Sequence, residues 1–278
     1  MGSVQKFGAS AAAGLAASMD ERAGQVDERA GRVDLAAAFR LAVRLDMHEG
    51  VCNHLSLMLS GHAGPAAAGA RAPQASRFLL NRFGLHWSEV TASNLLTLDA
   101  EGRILSGEGE FEKTAFYIHS RIHLSNPNAV CVLHTHMPYA TALTLTLPGR
   151  LEMVEQNALR FAGDIAYDDE YNGLVVDNAE GDRLARVLGE KRVMFLANHG
   201  VIVVGHSVAE AFDLMYYLER ACRLQVLALS TGRKLRAVPE KVVRDTYAML
   251  LEQNHVYAKS HFDALKRILD REEPGYRD

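Results

Sequence analysis

Apolar residues recur at two different spacings along this chain, and the alternation between them predicts its elements. After Asp34, a natural N-cap, Leu35, Phe39, Ala42 and Leu45 fall near a helical period, and the pattern stops at Gly50. Helices are likewise expected over 111–124, where FEKTAFYIHSRIHL ends before Asn126-Pro127, and over 139–145. Two long helices, 207–229 and 240–269, close the chain with Pro239 between them. Short strand-like runs lie at 54–59, 78–80, 94–98, 103–105, 129–134 and 193–204, the last divided by Asn198-His199-Gly200. Asp99-Ala100-Glu101-Gly102 reads as a hairpin turn, because Gly102 can take the positive φ that such a turn needs. Helices packed on a mixed sheet accommodate this order of elements.

Residues 20–33 repeat one heptapeptide, DERAGQV then DERAGRV, and Gly24 and Gly31 each cost a helix about 1 kcal/mol relative to alanine. Residues 1–33 are therefore read as a flexible tail and 34–278 as a single domain with a C-terminal helical extension. The Ala/Gly/Pro-rich stretch 60–75 has no period and is read as a loop. The 278 residues are 48% hydrophobic and 23% charged, the balance of a water-soluble globular protein. With 30 basic residues against 34 acidic ones, no broad positive field exists to hold nucleic acid. Apolar runs fall short of the ~20 residues that span a bilayer, so no membrane partner is expected. The first residues carry only Lys6 and an Ala/Gly stretch without leucine character, a poor secretory leader, and a cytoplasmic location is expected. Cys52, Cys131 and Cys222 have no CxxC neighbour and read as reduced, mostly buried thiols.

The sharpest chemical feature is VCVLHTHMP, residues 130–138. Alternation along a strand puts His134 and His136 on one face at a strand end that Pro138 marks. His199, beside a glycine that permits close backbone approach, offers a third imidazole. Three neutral histidines with one vertex left open form the pattern of a catalytic zinc site. The alternative is coincidence, since the chain holds 12 histidines. His119 and His123 share a helical face at i and i+4 and read as a packed or hydrogen-bonded couple that supports the site from behind.

Five segments in order carry a resemblance: NHLS (53–56), LLNRFGLHWSEVTASNLLTLD (79–99), TAFYIHSRIHLSNPNAVCVLHTH (114–136), LANHGVIVVG (196–205) and AFDLMYYLERACRLQ (211–225). Together they resemble the class II aldolase/adducin family over about Leu35 to Thr231, and more closely its adducin-like branch. The resemblance implies a three-layer α/β/α fold around a central, mainly antiparallel sheet. It also implies a homotetramer with sites at subunit interfaces, and Zn²⁺ held by His134, His136 and His199. Sugar-phosphate aldolases of the family carry an acid/base glutamate in an SSE motif, and its place here is taken by Ala115, which cannot move a proton. The phosphate-holding serines of that motif are also missing. Glu112, one helical turn earlier, is the candidate in its stead, although it reads equally as an acid placed to suit the helix dipole. His54, Asn81, Arg82 and Gly84 stand where the family binds substrate, with Asn81 and Gly84 open to a purely turn-shaping role and Arg82 suited to a carboxylate or phosphate. Tyr217, next to Tyr216, is the candidate proton donor from a neighbouring subunit, with core packing as its ordinary alternative.

The expected function is a zinc-dependent, class II aldolase-like lyase. It would act on a small hydroxy-carbonyl or hydroxy-acid substrate by metal stabilisation of an enediolate-like charge. Two alternatives stand beside it: a non-catalytic adducin-like oligomeric scaffold, and a metal-dependent epimerase or decarboxylase of the same fold.

Overall fold

The computed structural model describes residues 27–60 and 76–278. The first copy of the heptapeptide and nearly all of the 60–75 stretch lie outside the described residues. Helix α1 (Glu28–Arg44) begins earlier than the sequence pattern predicts: Asp27, not Asp34, is its N-cap, with its carboxylate accepting from the N–H groups of Arg29 at 2.9 Å and Ala30 at 3.3 Å. The second heptapeptide copy is thus helical. Tertiary contacts override the propensity of Gly31: Arg32 donates to the Leu95 carbonyl at 2.9 Å, and Glu28 pairs with Arg77 at 2.6 Å. Asp34 lies inside the helix and forms an ion pair with Lys266.

The strands are β1 (His54–Ser60), β2 (Arg77–Leu80), β3 (Leu96–Asp99), β4 (Ile104–Ser106), β5 (Cys131–Thr135), β6 (Ile165–Asp168), β7 (Val193–Leu196) and β8 (Gly200–Gly205). They form one sheet in the order β4-β3-β2-β1-β5-β8-β7-β6. Every neighbouring pair is antiparallel except β6 with β7, so the expected mainly antiparallel sheet is found. The β3–β4 turn is the predicted one, with Gly102 at φ +79° and the Asp99 carboxylate accepting from the N–H groups of Glu101 and Arg103.

Alternation along the central strands separates two cores. Cys131, Leu133, Val201 and Val203 pack with α1, with α5 (Val208–Leu229) and with the inner side of α6 (Glu240–Glu272). Val132, Met194, Ile202 and Val204 face the opposite way, onto Ile118 and Ile122 of α2 (Lys113–Ser125) and Leu184 and Leu188 of α4 (Asn178–Leu188). This gives three layers, α/β/α. The short α3 (Pro138–Thr144) follows β5 directly. Among the described residues, no helix is long and apolar enough to cross a membrane. Cys131 and Cys222 are buried free thiols and Cys52 is an exposed one.

Helices α2 and α4 touch at backbone distance. A Cβ placed on Gly181 of α4 would lie 2.2 Å from the Tyr117 carbonyl oxygen of α2. Glycine to alanine inside a helix ordinarily gains about 1 kcal/mol. Here the sign reverses: Gly181→Ala is expected to lose about 1–3 kcal/mol, because the helices must separate. Urea unfolding followed by far-UV circular dichroism measures it as a lower midpoint at unchanged slope.

Candidate metal centre

The site grows from the ends of three neighbouring strands. Strands β1 and β8 flank β5 and both run against it, so the start of each meets the end of β5 at one rim of the sheet. His134, in β5, is buried on the α2 side, and its Nδ1–H donates to the Val201 carbonyl at 3.0 Å. That bond leaves Nε2 as the free ligand atom. His136 lies just past the strand, where its N–H donates to Asn53 Oδ1 at 3.2 Å and its Nδ1 pairs with the Glu49 carboxylate. Its Nε2 is buried and has no partner among the described residues. His199 occupies the β7–β8 hairpin after Asn198, which adopts φ +57°. The hairpin packs so closely that a Cβ on Gly200 would come within 2.7 Å of both His136 Cδ2 and the Thr135 carbonyl.

The three rings converge, with centroids 5.0 Å apart for His134 and His136 and 4.8 Å for each of these with His199. One ligand nitrogen from each lies within 4.8 Å of the others. Burial, reinforced by the neighbouring imidazoles, holds His134 well below the ordinary histidine range. Burial and then His136 push His199 down to about 4, against a smaller opposing pull from Glu49. These two rings are therefore neutral near pH 7, the form that ligates metal.

Alongside, His54 pairs with His134 across the β1–β5 ladder. Its Nε2 is buried without a hydrogen-bond partner among the described residues and lies 3.9 Å from a Glu112 carboxylate oxygen. Burial pushes His54 down to about 4, with Glu112 opposing and His136 adding to the shift. Glu112 is the N-cap of α2, accepting from Ala115 N–H at 2.9 Å and from the Thr114 hydroxyl. Burial alone would raise its carboxyl. The bonds from Thr114 and Ala115 and the attraction of His54 outweigh that and hold it below the usual range. Glu112 is thus the capping acid of one sequence reading, and its carboxylate also lies beside His54 at the rim. Ala115 is buried.

His119 and His123 form a couple through Ser56, whose Oγ lies 2.6 Å from His119 Nδ1 and 2.7 Å from His123 Nε2. Asn81, at the end of β2, is buried with Oδ1 unpartnered among the described residues. Arg82 is exposed and folds over Gly109, and Gly84 turns the chain at φ +82°. Tyr217 sits elsewhere: its half-buried ring lies under the Arg160 guanidinium at 4.0 Å and against Tyr216 and His261, not against the three histidines.

Several participants carry no signal in the sequence. Glu49 orients His136 from a loop, and the exposed Tyr171 brings its ring 6.3 Å from that of His199. Glu219 of α5 accepts from the N–H groups of Tyr139 at 2.8 Å and Ala140 at 2.9 Å, which fixes α3 directly behind His136. Burial pushes the Glu219 carboxyl up to about 7, against the opposing effect of those two N–H groups.

Among known proteins, the Class II Aldolase and Adducin N-terminal domain matches residues 33–226. An aldolase II superfamily protein from Pseudomonas syringae superposes with a TM-score of 0.78 at 34% identity, covering 92% of this chain and 100% of that one. An L-fuculose 1-phosphate aldolase from Glaciozyma antarctica shares the fold, with a TM-score of 0.73 at 24% identity over 91% of this chain and 93% of that one. The adducin-related protein of Schizosaccharomyces pombe is 32% identical over 255 residues, 87% of this chain and 75% of the relative.

Two measurements probe this packing. Gly200→Ala displaces the His136 ring and is expected to weaken the binding of an added divalent ion about 10- to 100-fold in competition with a fluorescent chelator. Glu219 keeps its proton to about 7 when folded but only to its ordinary 4.5 when unfolded. The folded state thus binds more protons in that window, and the contribution of this group to stability falls as pH rises through it. Glu219→Gln, which stays neutral, is expected to gain on the parent protein by on the order of 2 kcal/mol between pH 5 and pH 8, read from urea midpoints.

Proposed function

The chain belongs to the class II aldolase/adducin family, and on that premise we propose that it is a zinc-dependent lyase of the aldolase type, acting on a small hydroxy-carbonyl or hydroxy-acid substrate. One observation carries this reading: three imidazoles distant in sequence offer nitrogens within 4.8 Å of one another. Two of them have their other nitrogen tied up, by the Val201 carbonyl and by Glu49. The donor set fits a single divalent ion, because His136 Nε2 is buried with nothing else among the described residues to bind. A bound Zn²⁺ supplies Lewis-acid polarisation of the substrate's oxygens and so lowers the cost of negative charge at the reacting carbon.

The protein's own side chains do the rest. Glu112, ionised and 3.9 Å from His54, takes the proton-accepting part that Ala115 cannot fill. His54, Asn81, Arg82 and Gly84, gathered at the ends of β1 and β2, orient the substrate. In the homotetramer proposed here, Tyr217 donates a proton into a neighbouring subunit's site, and the enzyme works in the cytoplasm. Epimerisation or decarboxylation would use the same groups with a different leaving bond. The likeness to an adducin-related protein and the loss of the family's glutamate at Ala115 favour a second reading, a non-catalytic oligomeric scaffold.

Elemental analysis of protein purified without added metal is expected to find about one zinc per chain. His199→Ala should remove most of it. Glu112→Gln should keep the zinc while lowering turnover about 10²- to 10⁴-fold in a screen of hydroxy-carbonyl and hydroxy-acid compounds. Zinc-loaded protein that turns over none of them would favour the scaffold instead.

A further inference from the structure

A one-way chain of hydrogen bonds links the turn before β5 to the metal rim. His123 points Nδ1 at the Ala129 carbonyl, 2.6 Å away, so in its neutral form that nitrogen carries the proton and Nε2 is the acceptor. Ser56 must then give its single hydroxyl proton to His123 Nε2. Its oxygen is left to accept from His119 Nδ1–H. His119 is thereby locked in one tautomer, and its Nε2 presents a buried lone pair with no donor opposite it among the described residues.

Among the described residues, no cationic side chain hydrogen-bonds that lone pair. His54 stands edge-on to His119 at 6.2 Å between centroids, with Glu112 beyond it. The start of α2, which would otherwise attract an anion, is already occupied by the Glu112 carboxylate. Arg82 and Lys113 are exposed, and Arg82 is folded against Gly109, where a Cβ would meet its Nε at 2.5 Å. Acceptors beside a carboxylate suit a hydrogen-bond donor and repel an anion.

We infer that this subsite, formed by His119, His54 and Glu112, holds a hydroxyl group of an unphosphorylated hydroxy-acid or hydroxy-carbonyl, and that it excludes phosphate monoesters. The inference rests on the zinc reading above, which fixes one end of the ligand while the subsite selects the other. His119 is the acceptor, and Ser56 and His123 are positioning residues that act through it.

Calorimetric titration of zinc-loaded protein with glycerate and with 3-phosphoglycerate tests it, since the two differ only at the terminal group. Glycerate is expected to bind about tenfold or more tightly. Glu112→Gln, which keeps an oxygen to cap α2, should shrink that preference to about threefold or less by relieving the repulsion of phosphate. Ser56→Ala frees His119 to change tautomer and should weaken glycerate without weakening 3-phosphoglycerate. Equal or tighter binding of 3-phosphoglycerate, no binding of either compound, or an unchanged preference in Glu112→Gln would overturn the inference. Zinc content is read on the same samples: protein that takes up no zinc sinks the proposed function, whereas zinc-bound protein that prefers the phosphate sinks this inference alone.

Discussion

The β1–β5–β8 ladder is the constraint on which the site depends. Because β5 runs against both neighbours, its last residues must meet the first residues of each, and backbone hydrogen bonds hold them in fixed register: His54 opposite His134, and Thr135 opposite Val201. No local motif could bring position 199 to positions 134 and 136. The sheet does so, and the side-chain contacts refine it: the Val201 carbonyl orients one ring, Glu49 another, and the bare Gly200 lets the hairpin close.

Burial sets the chemistry of what the ladder assembles. His54, His119, His134 and His199 are all pushed towards the neutral form, chiefly by desolvation. Glu112 is held in the opposite, charged state by the first turn of α2. One rim thus combines uncharged imidazoles with an ionised carboxylate, the separation that the proposed acid/base work at a metal would use.

Much of this was legible before any coordinates. The apolar runs of β1, β5 and β8 and the periodicity of α2, α5 and α6 placed those elements within a few residues, and His134-Thr135-His136 announced its own geometry. Elements between 146 and 192 carry no comparable pattern. β6 has only four residues, and Gly181 makes α4 look broken although its contact with α2 is what needs a glycine there. Helix α1 was expected at Asp34 because glycine propensity argued against the preceding heptapeptide, whereas Arg32 and Glu28 anchor that turn through partners far along the chain. Glu49 and Glu219 carry no pattern at all, since a lone carboxylate in a loop or on a helix acquires its purpose only from what folds against it.

The contact at Gly181 reaches further than its own helix. Helix α2 carries His119 and His123 and is capped by Glu112, while α4 carries none of the proposed chemistry, yet the Tyr117 carbonyl rests on bare α4 backbone. The two helices meet there with no side chain between them. Attempts to re-aim side chains on α2 will therefore be bounded from behind, by a helix that an engineer surveying only the rim would have left out of the design.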